Sequence, residues 1–246
     1  MFFKLYEPIF FKGEYKNNFR KVIIASTGRS GSTFLRHHIV YSFINKYLRI
    51  PYKFQNPDLK EYIVGTNTTF KRDQLSFFDH KVFSSTMSWG DIIDYNNLDE
   101  KRIFIKTHDY YRIKNDTIKY IFIFRDPLAI LTSILSKIDN SDTDFLSSHL
   151  TNLNSDYNID NIFEKDILNY IDLSNSYIKN KNEGNIFFLD FENLANSSES
   201  LSDFLGFNIK MKKLKNKPYH TKIKMVKREL IEKLQATYAE LKSCEA

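Results

Sequence analysis

The chain has 246 residues, 42% hydrophobic and 15% aromatic, which is enough to enclose one sizeable α/β core and excludes a short disulfide-stapled or low-complexity protein. A single cysteine, Cys244, leaves no disulfide framework and predicts a reducing, cytoplasmic setting. The net charge of +6 is uneven: residues 210–246 carry ten Lys and one Arg against four Glu, a local +7, so the remainder carries −1.

The N-terminal MFFKLYEPIFFKGEYK is apolar only in bursts broken by Lys4, Glu7, Pro8 and Lys12, and it lacks the plan of a secretory signal. KVIIAS (residues 21–26) reads as a buried strand. Residues 32–48 place Phe34, Leu35, Ile39, Val40, Phe43, Ile44 and Tyr47 at helical spacing. Residues 50–100 are aromatic, polar and irregular and read as short helices and loops. RIFIK (102–106) and KYIFIF (119–124) are strands, the second apolar on both faces as a central parallel strand requires. In RDPLAILTSILSK, Asp126 suits a helix cap and Pro127 the first helical position. The Asx- and Ser-rich stretch 139–161 predicts a long loop. Residues 162–180 predict a helix, 185–194 a strand, 198–207 a short helix stopped by Gly206, and 222–242 an amphipathic basic helix. No run of about 18 apolar residues occurs, so no transmembrane segment is expected.

Strands alternate with helices and no linker or repeat intervenes. The expectation is one α/β domain over 1–246, with a core at 21–207, a central parallel sheet flanked by helices and the basic helix at 222–242. Ligands of such sheets sit at the carboxyl ends of the strands. Three loops leave strands at that edge: 26–33, 106–112 and 125–127.

The first, TGRSGST, suits an anion. Gly28 and Gly31 let backbone N–H groups converge, the following helix start is electropositive, Arg29 adds a full charge, and Ser30, Ser32 and Thr33 add hydroxyls. A triphosphate–magnesium loop is written G-x-x-x-x-G-K-[ST]; here the spacing is shorter and no Lys precedes the hydroxyls. In the second loop, strand alternation places Lys106 and His108 on one side, a cation beside a titratable base. In the third, Arg125 and Ser133 stand eight residues apart and can bracket one phosphate, or else cap a sheet edge and pack a helix face. His37 and His38 lack partners at metal spacing, Asp190 and Glu192 suit loop orientation, and Trp89 either packs or lines an acceptor pocket.

Together, TGRSGSTFL, IKTH, FRDPLAILTSI, NIFFLDFENL and LSDFLGF resemble, in order and spacing, the sulfotransferases that use 3′-phosphoadenosine 5′-phosphosulfate (PAPS). The resemblance implies a P-loop NTPase-like α/β fold and sulfuryl transfer without a metal, since a sulfuryl group carries less charge than a phosphoryl group. By position it implies that Arg29, Ser30, Gly31, Ser32 and Thr33 bind the 5′-phosphosulfate and that Phe34 stacks on the adenine. Arg125 and Ser133 would hold the 3′-phosphate, with His108 as base and Lys106 as its cationic neighbour. The Arg-Lys-Gly element that many members carry near the C-terminus is missing, and Lys217, Tyr219 or Lys222 are its candidate substitutes. Members acting on carbohydrates often use a Glu as base. The implied partners are PAPS or its product 3′-phosphoadenosine 5′-phosphate (PAP) and a hydroxyl or amine of a carbohydrate, lipid or small alcohol; no nucleic acid is expected. The alternatives are a nucleotide-dependent kinase and a nucleotide-binding protein without turnover.

Overall fold

Five parallel strands form the centre of the molecule. The computed structural model describes residues 21–47, 84–86, 104–111, 117–140, 159–209, 211 and 218–245. The strands are β1 (Lys21–Ser26), β2 (Ser84–Thr86), β3 (Phe104–Thr107), β4 (Ile118–Phe124) and β5 (Ile186–Asp190), in the order β2-β3-β1-β4-β5. All four pairings are parallel, and β1 lies in the middle with Ala25 opposite Thr107 and Ser26 opposite Ile123. The helices are α1 (Ser32–Tyr47), α2 (Pro127–Asp139), α3 (Tyr170–Ile178), α4 (Ser198–Leu205) and α5 (Arg228–Ser243).

Alternation along the buried strands divides the apolar side chains into two layers. Val22, Ile24, Phe104, Ile121, Ile123 and Leu189 face α1 and α4, where Leu35, Ile39, Phe43, Leu201 and Leu205 cover them. Ile23, Ala25, Ile105, Tyr120, Phe122 and Phe124 face α2, α3 and α5. On that side Phe122 stacks on Tyr177 with ring centroids 4.3 Å apart at 18°. The architecture is therefore the expected α/β sandwich, a central parallel sheet with helices on both faces.

Helix boundaries follow local chemistry. Asp126 caps α2 by accepting from the Leu128 N–H at 2.9 Å, and Pro127 opens the helix. Gly206 ends α4 in the left-handed region at φ 74°.

Four expectations need correction. The helix expected over 162–180 is two pieces, a 3-10 turn at Ile159–Phe163 and α3, because Asn169 turns left-handed at φ 53° and Asp166 accepts from the Ile171 N–H. The strand expected over 185–194 stops at Asp190, whose carboxylate accepts from the Glu192 N–H and turns the chain into a 3-10 turn at Phe191–Asn193. The basic helix expected over 222–242 begins only at Arg228; Thr221–Met225 is a 3-10 turn, and Val226 and Lys227 are extended. The Lys227 N–H there donates to the Phe163 carbonyl at 2.7 Å, which holds the break open. Finally, Ser84–Thr86 forms a strand inside the stretch read as loops and helices. The readings of Trp89 and Lys217 and most of those for 50–100 and 139–160 lie outside the described residues.

Phe122 is fully buried between the sheet and Tyr177. Phe122→Ala is therefore expected to destabilise the fold by about 3–5 kcal/mol, read as a lower denaturation midpoint at unchanged slope. A loss below about 1 kcal/mol would show that this layer repacks freely.

Candidate active site

Because all five strands run the same way, the loops that follow β1, β3, β4 and β5 emerge at one edge. The loop after β1 turns through two left-handed residues, Arg29 at φ 65° and Gly31 at φ 86°. A non-glycine residue in that region is uncommon, and at Arg29 it projects the side chain to the surface. Gly31 is required for a second reason: a Cβ there would lie 2.1 Å from the Phe191 ring. The Ser30 hydroxyl is buried and shares a hydrogen bond with Thr27, so it closes the loop from within. Ser32 and Thr33 open α1, the first buried and the second exposed. The first N–H groups of that helix have no partner within it and point toward the loop. Phe34 is half-buried one residue further on, its ring tilted over His38 at 4.3 Å.

The loop after β1 reaches the helix after β4 directly. Arg29 Nε donates to Ser133 Oγ at 3.0 Å, joining two groups 104 residues apart. Ser133, one face round from the buried Ile130 and Ile134 on α2, therefore meets Arg29. Arg125 makes a different pair: its Nε lies 2.9 Å from Glu192 Oε1, and its guanidinium covers the Phe191 ring at 4.6 Å. Glu192 and Phe191 come from the turn after β5; the sequence marks Glu192 as a loop-orienting acid, but its partner Arg125 and the part of Phe191 do not show there because 191–193 reads as strand.

His108 follows the last paired residue of β3 and turns back onto β1. Its Nδ1 lies 2.6 Å from the Ser26 carbonyl and 3.3 Å from Ser26 Oγ. A carbonyl only accepts, so Nδ1 carries the proton and the lone pair of the neutral ring is at Nε2. His108 is 7% exposed. Lys106 shares its side of β3 with Phe104 and faces the α1 layer. Burial, then the charges of Arg36 and Arg29, lower the Lys106 pKa to about 8. Arg36, only 1% exposed, is a third cation of this cluster that sequence reading passed over. Its place on α1 one turn after Ser32 was the available signal, since an apolar stripe with an Arg in it places that charge inside. Positive charge gathered in a half-buried site is what an anion relieves.

The basic segment before α5 lies along α2. The Tyr219 hydroxyl donates to Asp126, which raises the Tyr219 pKa to about 12. His220 and Lys222 both reach Asp139, at 2.9 and 2.5 Å. Lys222 is thus held at the end of α2 opposite to Arg125, whereas Tyr219 stands beside the Arg125–Asp126 corner. Among the described residues no three His, Cys, Asp or Glu side chains gather as a metal site would need, and no helix is long and apolar enough to cross a membrane.

The model of the sulfotransferase domain matches residues 19–243. The chain belongs to the sulfotransferase family. No protein of curated function matches its sequence. Among solved structures it is similar to the mouse sulfotransferase SULT7A1 complexed with PAP, at 17% identity and a TM-score of 0.42, covering 92% of this chain and 67% of that one. It is also similar to a sulfotransferase from Alicyclobacillus acidocaldarius, at 13% identity and a TM-score of 0.43, covering 94% and 96%. A third is retinol dehydratase in complex with androsterone and inactive cofactor PAP, at 18% identity and a TM-score of 0.38, covering 90% of this chain and 64% of that one. The chain spans about two thirds of the mouse protein and of retinol dehydratase. At these scores the family assignment rests on the domain match.

The Lys106 shift gives this sulfotransferase a pH signature. Lys106 is a cation below about pH 8 and neutral above it. A bound anion favours the charged form, so anion affinity falls as pH rises through about 8. The rise in melting temperature produced by inorganic sulfate is expected to shrink across that range in the wild type, while Lys106→Met gives a smaller rise with no such pH dependence. A wild-type response that stays flat from pH 7 to pH 9 would remove Lys106 from the anion site.

Proposed function

We propose that this chain is a PAPS-dependent sulfotransferase acting on a hydroxyl or amine of a carbohydrate, lipid or small alcohol, within one domain. The observation that carries the reading is the bond from Arg29 to Ser133, which joins the anion loop after β1 to the helix after β4 at 3.0 Å. A donor with phosphate groups at both its 5′ and 3′ ends needs those two elements at one place. The cation cluster of Arg29, Arg36 and Lys106 fits the doubly charged 5′ end, and Arg125 fits the 3′ end.

Gly31, Ser32 and Thr33 would supply N–H and hydroxyl donors to the 5′ phosphosulfate, with Ser30 closing the loop beneath them. Phe34 would carry the adenine. When bound, PAPS supplies the sulfuryl group, whose sulfur gains a bond to the acceptor oxygen and loses its bond to the bridging oxygen, so that PAP leaves. His108 takes the acceptor proton at Nε2, because Nδ1 is committed to the Ser26 carbonyl. Lys106 places its charge where the bridging oxygen becomes negative. Two observations favour turnover over mere nucleotide binding: the tautomer set on His108 and the neighbouring lowered Lys106. The reading requires no metal, whereas a kinase would.

Titrations with PAP and with ATP–Mg test the donor. PAP at about 100 times its dissociation constant is expected to stabilise the fold by about 2.7 kcal/mol, and ATP–Mg far less. Equal stabilisation by both would favour a nucleotide-dependent kinase.

Transfer from labelled PAPS to pooled glycans, lipids and small alcohols tests the base. His108→Ala is expected to lower turnover by about 10²–10⁴ while leaving PAP affinity almost unchanged, since the base faces the acceptor. Near-normal turnover in that variant would move the base to a carboxylate.

A further inference from the structure

The turn after β5 bears on the proposed 3′-phosphate group more closely than any other element. A guanidinium offers an Nε edge, an edge of terminal nitrogens, and two faces. At Arg125 the Nε edge is taken by Glu192 Oε1 at 2.9 Å, and Phe191 covers a face at 4.6 Å. Among the described residues nothing bonds the terminal nitrogens. The Glu192 contact is single and side-on, so an anion on the terminal edge need not break it. The ion pair is only about one-fifth exposed, with side chains 17% and 21% accessible.

The holder is itself held. Phe191 lies against Gly31, where no side chain can stand. Asp190 accepts from the Glu192 N–H at 3.0 Å and from the Tyr238 hydroxyl at 2.9 Å. Glu245 Oε1 accepts from the Asp190 N–H at 3.4 Å, from Asn193 Nδ2 at 3.2 Å and from Ser197 Oγ at 3.3 Å. The turn that presents Glu192 is thus tied to the C-terminal helix, and through Phe191 to the anion loop.

We infer that Glu192 is a positioning residue that fixes Arg125 by its Nε and turns the terminal nitrogens toward the 3′-phosphate of the donor, an inference that rests on the donor reading above. Holding Arg125 in one rotamer before the ligand arrives removes an ordering cost from binding. The role needs an acceptor at that place; the charge of Glu192 strengthens the bond to Nε but also repels the incoming phosphate. A neutral acceptor of the same length would serve as well.

The test compares PAP with adenosine 5′-phosphosulfate, which lacks the 3′-phosphate, by calorimetric titration of the full chain. Arg125→Ala provides the reference loss. Glu192→Ala is expected to weaken PAP by about tenfold, roughly 1.4 kcal/mol, and to leave adenosine 5′-phosphosulfate unchanged. Glu192→Gln should bind PAP as tightly as the wild type or more tightly, because its amide oxygen still accepts from Nε. Should Glu192→Ala not fold, Glu192→Asp takes its place: it keeps the charge, draws the oxygen back by one methylene, and should lose PAP selectively. Unchanged or tighter PAP binding by Glu192→Ala would overturn the inference, tighter binding making Glu192 a competitor of the phosphate. Equal loss of both ligands, or a Gln variant as weak as the Ala variant, would overturn it too. A wild type with no preference for PAP over adenosine 5′-phosphosulfate would instead sink the donor reading, whatever the Glu192 variants do.

Discussion

The parallel pairing of β1 with a neighbour on each side is the constraint from which the site follows. Ala25 opposite Thr107 puts Ser26 level with His108, and Ser26 opposite Ile123 brings the anion loop up to the corner at Arg125. Had either neighbour run antiparallel, its carboxyl-end loop would sit at the far edge of the sheet, since successive residues rise by about 3.3 Å along a strand. The hydrogen bond from His108 to the Ser26 carbonyl is this register expressed in one side chain. It uses the carbonyl of the last residue of β1, which is itself paired with Ile123 of β4.

Electrostatically the edge is one-sided. Burial, with repulsion from Arg36 and Arg29 added to it, brings the Lys106 pKa down to about 8. The acids around them are occupied elsewhere. Asp126 caps α2 and accepts from Gln235, Asp139 holds His220 and Lys222, and Asp190 holds its own turn and Tyr238. Burial raises the Asp190 pKa, and the bonds it accepts from the Glu192 N–H and the Tyr238 hydroxyl oppose that rise. An anion bound at this edge relieves part of the repulsion among the three cations.

The basic C-terminal region belongs to this arrangement as a buttress. The segment that leads into α5 is tied to both ends of α2, by Tyr219 on Asp126 and by Lys222 on Asp139. Leu230, Leu234 and Leu241 of α5 then enter the core layer under Phe124 and Tyr170, and Tyr238 meets Phe124 edge to face at 5.9 Å. The helix itself is neutral, with Arg228, Lys233 and Lys242 against Glu229, Glu232 and Glu240, and Arg228 pairs with Glu232 on its exposed face; the local +7 comes from the segment 210–227 before it.

Short-range chemistry was readable from the sequence alone. KVIIAS and KYIFIF hold unbroken apolar runs, Val22–Ala25 and Tyr120–Phe124, as a strand buried on both faces does. Asp126–Pro127 marked the start of α2 to the residue, and Gly206 the end of α4, because caps act within a single turn. Arg29, Lys106, His108, Arg125 and Ser133 stood out for the same reason: each sits at the end of a strand, just past one or in the helix that follows it. Which of them meet was settled only by the tertiary fold. Ser133 faces Arg29, and Arg125 faces Glu192, because sheet order and helix rotation set those neighbours across 104 and 67 residues. The same holds for the turn at Phe191–Asn193, which reads as strand until the Asp190 carboxylate and the distant Glu245 bend it. It holds also for Arg36, whose helical position is plain but whose burial beside Lys106 depends on how α1 lies across β1 and β3. Periodicity carries information over one turn or one strand, whereas a charge takes its partner from whatever the packed sheet brings within a few ångströms.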